Sequence, residues 1–275
     1  MEPEYNILNH TKDAANLQET VPPLDISLKL QRSMLQLKGH HMTEDGRGID
    51  YERLRESELF REYIDLSTRL VTCDPSSLDH THKMAFFINI YNSLTIHGLA
   101  ASEELPSSVL GVEQFWQKTA YDIGGLVYSL DDIEHGVLRG NKPHPSASKR
   151  PFSEDDPRAK ISLKSCDPRI HFALVCGAKS CPAIQVYSGT NLELALNSAA
   201  TNFCSQEVEV TAGGVVISKI FHWYASDFGA TEKELLQWVC QYLPVSKQEQ
   251  LEKLLASGHS VEVKSRDYDW KLNKL

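Results

Sequence analysis

Two thiols separated by four residues follow an apolar run in His171-Phe-Ala-Leu-Val-Cys176-Gly-Ala-Lys-Ser-Cys181. A thiolate is a strong nucleophile, and a cation beside it lowers the thiol's pKa; Lys179 stands two residues before Cys181. Cysteine with histidine is enough for nucleophilic attack on an amide, ester or thioester. On that chemistry Cys181 is the expected nucleophile, or Cys176 if Cys181 is structural. His171 or His135 is the expected general base, with Glu134 or Asn89 orienting the imidazole. Backbone N–H groups from Gly177 to Ser180 could form an oxyanion site, with Lys179, Ser180 and Asn92 beside a small-molecule or peptide substrate. Bland readings stand next to this one: Cys176 as a small buried hydrophobe and Cys181 as an incidental thiol. A dithiol redox pair is a further reading, requiring the two Cα atoms to lie within ~7 Å. Zinc could draw on Cys176, Cys181, His171 and His135, but structural zinc sites show paired CxxC or HxxxH spacings, and none is present. The expectation is therefore no metal and no cofactor. GxSxG, Walker, GxGxxG and HExxH sequences are absent as well.

Two other segments carry polar groups where apolar ones are expected. Asn89, Asn92, Ser93 and His97 form one stripe on an otherwise apolar helix. A buried amide without a partner costs about 1–3 kcal/mol, so Asn89 and Asn92 must bond something. They either fix neighbouring loop backbone or serve an active site, orienting an imidazole or lining its floor. In Leu130-Asp-Asp-Ile-Glu134-His135-Gly-Val-Leu-Arg139 the apolar face is Leu130, Ile133, Val137 and Leu138. Glu134 falls in its middle and must be paired, hydrogen-bonded or protonated. A tie to Arg139 or to backbone is one outcome; a tuned acid/base pair with His135 is the other.

The elements that must position these groups are legible in the hydrophobic pattern. Residues 1–22 read as a flexible leader and 23–79 as a helical lead-in. The latter has one helix from an Asp25 cap to Lys38 and a longer one from an Asp50 cap to about Val71. A central buried helix follows from Leu78 to Ala101. Gly124-Gly125 marks a hairpin, Ser129 with Asp132 a capping box opening a short helix, and residues 141–168 a long polar loop that would gate access. His171–Cys176 reads as a central strand. A capping box at Thr190 and Glu193 opens a helix to about Cys204. A second hairpin spans Val208–Ser218, helices cover 232–243 and 247–256, and a last strand lies near Val261–Val263. The fold class is α+β: a helix-rich single domain with a small, mainly antiparallel sheet, its core at 80–275.

Composition excludes several classes. The chain has 275 residues, six cysteines and a net charge of -9. Cysteine is too sparse for a disulfide scaffold, and no run reaches the ~18 apolar residues of a membrane-spanning helix. The first residues lack the basic and apolar regions of a signal peptide. A cytoplasmic location is expected, with neither nucleic acid nor membrane as partner. A non-catalytic module whose long loop binds a partner protein is the alternative to an enzyme.

Five motifs occur in order: AFFINIYNSLTIHGL, SLDDIEHGVLRG, DPRIHFALVCGAKSCPAI, ISKIFHWYASDFG and YDWKLN. Together they resemble the family called domain of unknown function 547, over about residues 80 to 275. Lys271 stands where a serine is expected and Phe87 where tryptophan is usual. The resemblance implies a domain found alone or attached to glutaredoxin-like, signalling or coiled-coil modules, with no assigned function. Some members look related to the papain/transglutaminase-like superfamily, in which a cysteine at a helix N-terminus faces a histidine on a strand. His171 suits that histidine. The central helix carries Asn89 and Asn92 where such a cysteine stands, so the thiol must come from Cys176 or Cys181 in a rearranged order, or the site is not a thiol site.

Overall fold

The computed structural model describes residues 4–10, 20–43, 48–102, 104–181, 184–258 and 260–275. The chain divides into two compact units. The first unit holds residues 1–166, 174–192 and 270–275, the second 167–173 and 193–269.

In the first unit, β1 (Asn6–Ile7) precedes α1 (Pro23–His41), α2 (Tyr51–Glu56), α3 (Glu58–Thr68), α4 (His80–Ala101), α5 (Phe115–Lys118), β2 (Thr119–Ile123) and β3 (Leu126–Ser129). Helix α4 is the axis of the unit. Its residues Met84 to Ala100 are all buried, as expected of a helix apolar on every side. Asp79 caps it by accepting the His82 N–H at 2.9 Å. Asp50 caps α2, but the expected long helix breaks at Ser57, which is extended. Its hydroxyl caps α3 by accepting the Phe60 N–H at 3.2 Å. A side chain that competes for helix N–H groups favours such a boundary. Helix α1 starts two residues before Asp25, with Pro23 in its first turn, where a missing N–H costs nothing.

The hairpin β2–β3 turns at Gly124 and Gly125, with φ of 64° and 82°, the two positive angles that a tight hairpin turn requires. The leader does not stay free over its described part. β1 pairs with β2 in parallel, and the Asn9 side chain donates to the Asp122 carbonyl at 2.8 Å while accepting its N–H at 2.9 Å. The rest of the leader, residues 1–3 and 11–19, lies outside the described residues.

The loop after residue 140 is packed as well. Asn141 exchanges two hydrogen bonds with the Phe152 backbone, at 2.9 and 3.0 Å. Arg158 donates to the Val127 carbonyl at 2.7 Å and to Asp132 at 3.1 Å, with its guanidinium over the Phe152 ring. A polar, Pro-rich segment can be fixed this way because its few anchors, Phe152, Ile161 and Leu163, are buried.

The second unit contains α6 (Leu192–Glu207, from Glu193 onward), β4 (Glu209–Val210), β5 (Gly214–Ser218), α7 (Lys219–Trp223), α8 (Ala225–Phe228), α9 (Glu232–Cys240), α10 (Val245–Ala256) and β6 (Glu262–Arg266). Its core gathers Phe172, Phe203, Phe221, Phe228, Leu236 and Val239. Thr231 caps α9, accepting the Glu234 N–H at 3.2 Å. Each unit has one three-stranded sheet, and each sheet joins an antiparallel pair to a parallel one. The fold is α+β and helix-rich. No helix among the described residues is long and apolar enough to cross a membrane.

The expected strand His171–Cys176 is absent. Pro168–Phe172 is a 3-10 helix capped by Asp167, and the Ala173 N–H closes on Ile170. Residues 171–175 are buried, but their backbone finds turns and side chains for partners instead of a neighbouring strand. An unbroken apolar stretch does not distinguish these outcomes.

Candidate functional site

The polar stripe of α4 holds the chain around the cysteines. Asn89 donates to the Tyr187 carbonyl at 2.7 Å and accepts the Tyr187 N–H at 3.0 Å. Asn92 accepts the Val175 N–H at 2.8 Å. Ser93 donates to Gln31 on α1 at 2.8 Å, and Gln31 donates to the Gln185 carbonyl at 2.7 Å. Val175 is thus tied to α4, Tyr187 to α4 and Gln185 to α1. His97 bonds Tyr121 at 2.8 Å, and burial pushes its pKa down to about 3, so it is a neutral core group.

Between those ties lie the two thiols. Cys176 Sγ and Cys181 Sγ are 2.7 Å apart, and the Cys176 N–H donates to Cys181 Sγ at 3.1 Å. Neither is in a disulfide, and both are half-buried. The turn between them is braced by the C-terminal segment: the Gly177 carbonyl accepts the Asn273 N–H at 3.1 Å, and the Lys179 N–H donates to Lys271 at 2.9 Å. Tyr51 on α2 donates to Asn273 at 2.8 Å. Burial raises the Tyr51 hydroxyl far above its ordinary pKa, and charge on Cys181 and Cys176 adds to the rise. Burial lowers the Lys38 ammonium, and charge on Cys181 opposes it. Lys179, the cation adjacent in sequence, is exposed, and Ser180 is half-buried.

Gly177 makes this turn possible. Its φ is 87°, and a Cβ there would stand 2.5 Å from Leu99 Cδ1. Gly177→Ala should cost about 1–3 kcal/mol from the left-handed backbone alone, read as a lower urea midpoint with unchanged slope. A midpoint equal to wild type would show that the turn relaxes freely.

Glu134 and His135 lie on a seven-residue π-helix, Asp132–Leu138, buried throughout. The Arg139 N–H bonds the Glu134 carbonyl at 2.8 Å and the Asn141 N–H that of Gly136 at 3.0 Å, each five residues back. Such wide turns are frequent at functional sites. The expected Ser129–Asp132 box is present: Asp132 accepts the Ser129 N–H at 3.0 Å, and Ser129 Oγ accepts the Asp132 N–H at 3.1 Å. Tyr91 on α4 donates to Glu134 at 3.1 Å. Arg139 Nη1 stands 3.0 Å from His135 Nδ1. A guanidinium only donates, so Nδ1 accepts and a neutral imidazole carries its proton on Nε2, which faces Asp131 Oδ1 at 3.9 Å. The His144 ring meets His135 edge-on at 4.8 Å. Burial raises the Asp131 carboxyl to about 7, with Glu134 and Asp132 adding and a hydrogen bond from Gln117 opposing.

His171 belongs to the second unit and is described there. Its Nε2 is 3.0 Å from Asp227 Oδ2, both side chains buried, and Tyr224 stacks on the ring at 3.9 Å. Asp227 also lines an open pocket of about 700 Å3 with His222, Ser226, Thr231 and Glu232. The structure therefore brings Cys176 and Cys181 together, clamps them through Asn92, and places Glu134 with His135. Lys38, Tyr51 and Asp227 were not singled out from sequence. Asp227 lies inside a quoted motif, whereas Lys38 and Tyr51 are more than 120 residues from the thiols and carry no local signal.

Residues 75–204 match the family model described as "Protein of unknown function, DUF547". The matched segment contains the first three of the five motifs. No curated protein and no solved structure matches the chain.

Proposed function

We propose that this chain exchanges electrons with small-molecule or peptide disulfides through a Cys176–Cys181 dithiol. The observation that carries the reading is the 2.7 Å separation of the two sulfurs, from which a modest side-chain rotation reaches the bond of about 2.05 Å. One thiolate attacks a sulfur of the substrate disulfide, and the first substrate thiolate leaves. The second protein thiol, losing its proton, attacks the mixed disulfide, and the second substrate thiolate leaves. The protein dithiol loses two electrons and two protons, and the substrate becomes two thiols. Three of the other four cysteines are poor competitors: burial raises Cys73 and Cys204 to about 12 and raises Cys240 as well.

The test is treatment of the reduced full chain with glutathione disulfide, followed by peptide mass mapping without reductant. The expected product is a single Cys176–Cys181 cross-link, short of two hydrogens and reversed by dithiothreitol. Cys176→Ser should instead accumulate glutathione on Cys181. If both thiols stay open to alkylation after oxidation, the reading fails.

A second reading keeps the same sulfur but directs it at an amide, ester or thioester. It is supported by the fixed tautomer of His135, whose proton on Nε2 is set by Arg139. Its signature is an acyl group retained on Cys181 or Cys176 after reaction with an activated thioester, which dithiol exchange does not leave.

A further inference from the structure

We propose that Lys38 is the residue that makes Cys181 the attacking sulfur of this pair and leaves Cys176 to resolve the mixed disulfide. The inference rests on the dithiol reading and assigns its two halves. Helix α1 is registered against the cysteine segment by Gln31, whose amide donates to the Gln185 carbonyl at 2.7 Å, four residues beyond Cys181. Lys38 follows Gln31 by seven residues, two turns along the same face and about 10 Å further on, with buried Met34 between them. That face is the one turned to the segment. The Lys38 stem is half-buried, and Cys181 is the group whose charge acts on its ammonium. Among the described residues no carboxylate pairs with Lys38.

The hydrogen bonds break the symmetry of the pair in the same direction. The Cys176 N–H donates to Cys181 Sγ at 3.1 Å, so Cys181 is already an acceptor. In the 2.7 Å sulfur contact either thiol can be the donor, and once Cys181 is the thiolate the Cys176 S–H donates to it. A thiolate on Cys181 thus receives a backbone donor, a thiol donor and a cation, the setting that lowers a cysteine pKa. The Tyr51 hydroxyl on α2 also feels the charge of both thiols and is neutral through burial. Cys176 Sγ lacks the backbone donor that Cys181 Sγ has from Cys176 N–H, so in this proposal it is the poorer nucleophile until Cys181 enters the mixed disulfide. Lys38 is a positioning residue here: it acts on the sulfur, not on substrate.

The experiment is the pH dependence of iodoacetamide labelling at each thiol in the reduced full chain, read by peptide mass spectrometry. Wild type, Lys38→Met and Lys38→Arg are compared, with urea midpoints measured in parallel to confirm folding. In wild type Cys181 labels first. Lys38→Met moves its half-labelling pH upward by about one unit, slowing labelling near neutrality about tenfold, and Lys38→Arg restores most of the rate. Faster labelling of Cys176 than Cys181 in wild type overturns the assignment. So does an unchanged Cys181 profile in folded Lys38→Met. Disulfide formation by glutathione disulfide is followed in the same samples. A Lys38→Met chain that still forms the Cys176–Cys181 bond, only more slowly, is the expected result. A wild-type chain that never forms it defeats the dithiol reading itself, whatever Lys38 does.

Discussion

Asn89→Ala will destabilise the chain by about 2–4 kcal/mol, because it orphans two buried backbone groups at once. The amide of Asn89 meets both the N–H and the carbonyl of Tyr187, and Asn89 is fully buried. Alanine removes two hydrogen bonds and leaves a donor and an acceptor with no replacement. Asn89→Asp should fall between alanine and wild type: its carboxylate still accepts the Tyr187 N–H, but it faces the Tyr187 carbonyl without a proton to donate. Asn92→Ala should cost less, since one bond is lost, to Val175. The loss sits next to Cys176, however, and should also speed the labelling of that thiol. Urea denaturation of the three variants decides the order. If Asn89→Ala unfolds at the wild-type midpoint, the Tyr187 backbone has other partners, and the clamp is not what holds segment 175–187.

These clamps show how far the sequence carries. The polar stripe on α4 was readable because four polar groups recur on a helix otherwise built of apolar residues, and burial forces each to find a partner. The sequence left open whether the amides bind loop backbone or orient an imidazole; the hydrogen bonds of Asn89 and Asn92 go to Tyr187 and Val175. The hairpin at Gly124-Gly125 and the Asp50 cap were legible for a related reason: each depends on residues within a few positions of one another. Capping at Ser57 was missed because the hydrophobic period continues across it from Leu54 to Tyr63, and period alone does not see a side chain that takes a helix N–H. The π-turn at Asp132–Leu138 was read as an ordinary short helix. Its widening adds one residue per turn without changing the composition, so only the five-residue hydrogen bonds of Glu134 and Gly136 reveal it.

The functional groups divide along the same line. Cys176 and Cys181 could be paired from sequence because they are five positions apart on one turn. The residues that tune them could not. Lys38 reaches Cys181 through helix packing, and the nearer cation, Lys179, points to solvent. His171 was given a partner of the wrong kind of element: the strand meant to carry it is a 3-10 helix, and its hydrogen-bond partner is Asp227, 56 residues away. Long-range polar pairing leaves no periodic trace in a single chain, whereas local pairing does.

Asp131 is a buried carboxyl whose ionisation is disfavoured in the fold, and its removal should stabilise the protein in alkaline solution. The carboxyl has an ordinary pKa of 3.8 in the unfolded chain and about 7 in the folded one, raised by burial and by Glu134 and Asp132. Between those values the folded state holds a proton that the unfolded state has lost. Stability therefore falls as pH rises through this window, is unaffected below it, and carries the whole penalty above it. At about 1.4 kcal/mol per pH unit, the ceiling is about 4 kcal/mol. The side chain is 24% exposed, so water reduces this, and about 1–4 kcal/mol is expected. Asp131→Asn removes the ionisation while keeping a side chain that can bond Gln117. Its stability should match wild type near pH 4, exceed it at pH 8, and vary less between. A variant weaker than wild type at pH 8 would mean that the charged carboxylate is favourable in the fold, with His135 protonated on both nitrogens to meet it. In that case Arg139 could not donate to Nδ1, and the fixed tautomer of His135, with the acyl-transfer reading that leans on it, would be lost together with the cost assigned to Asp131.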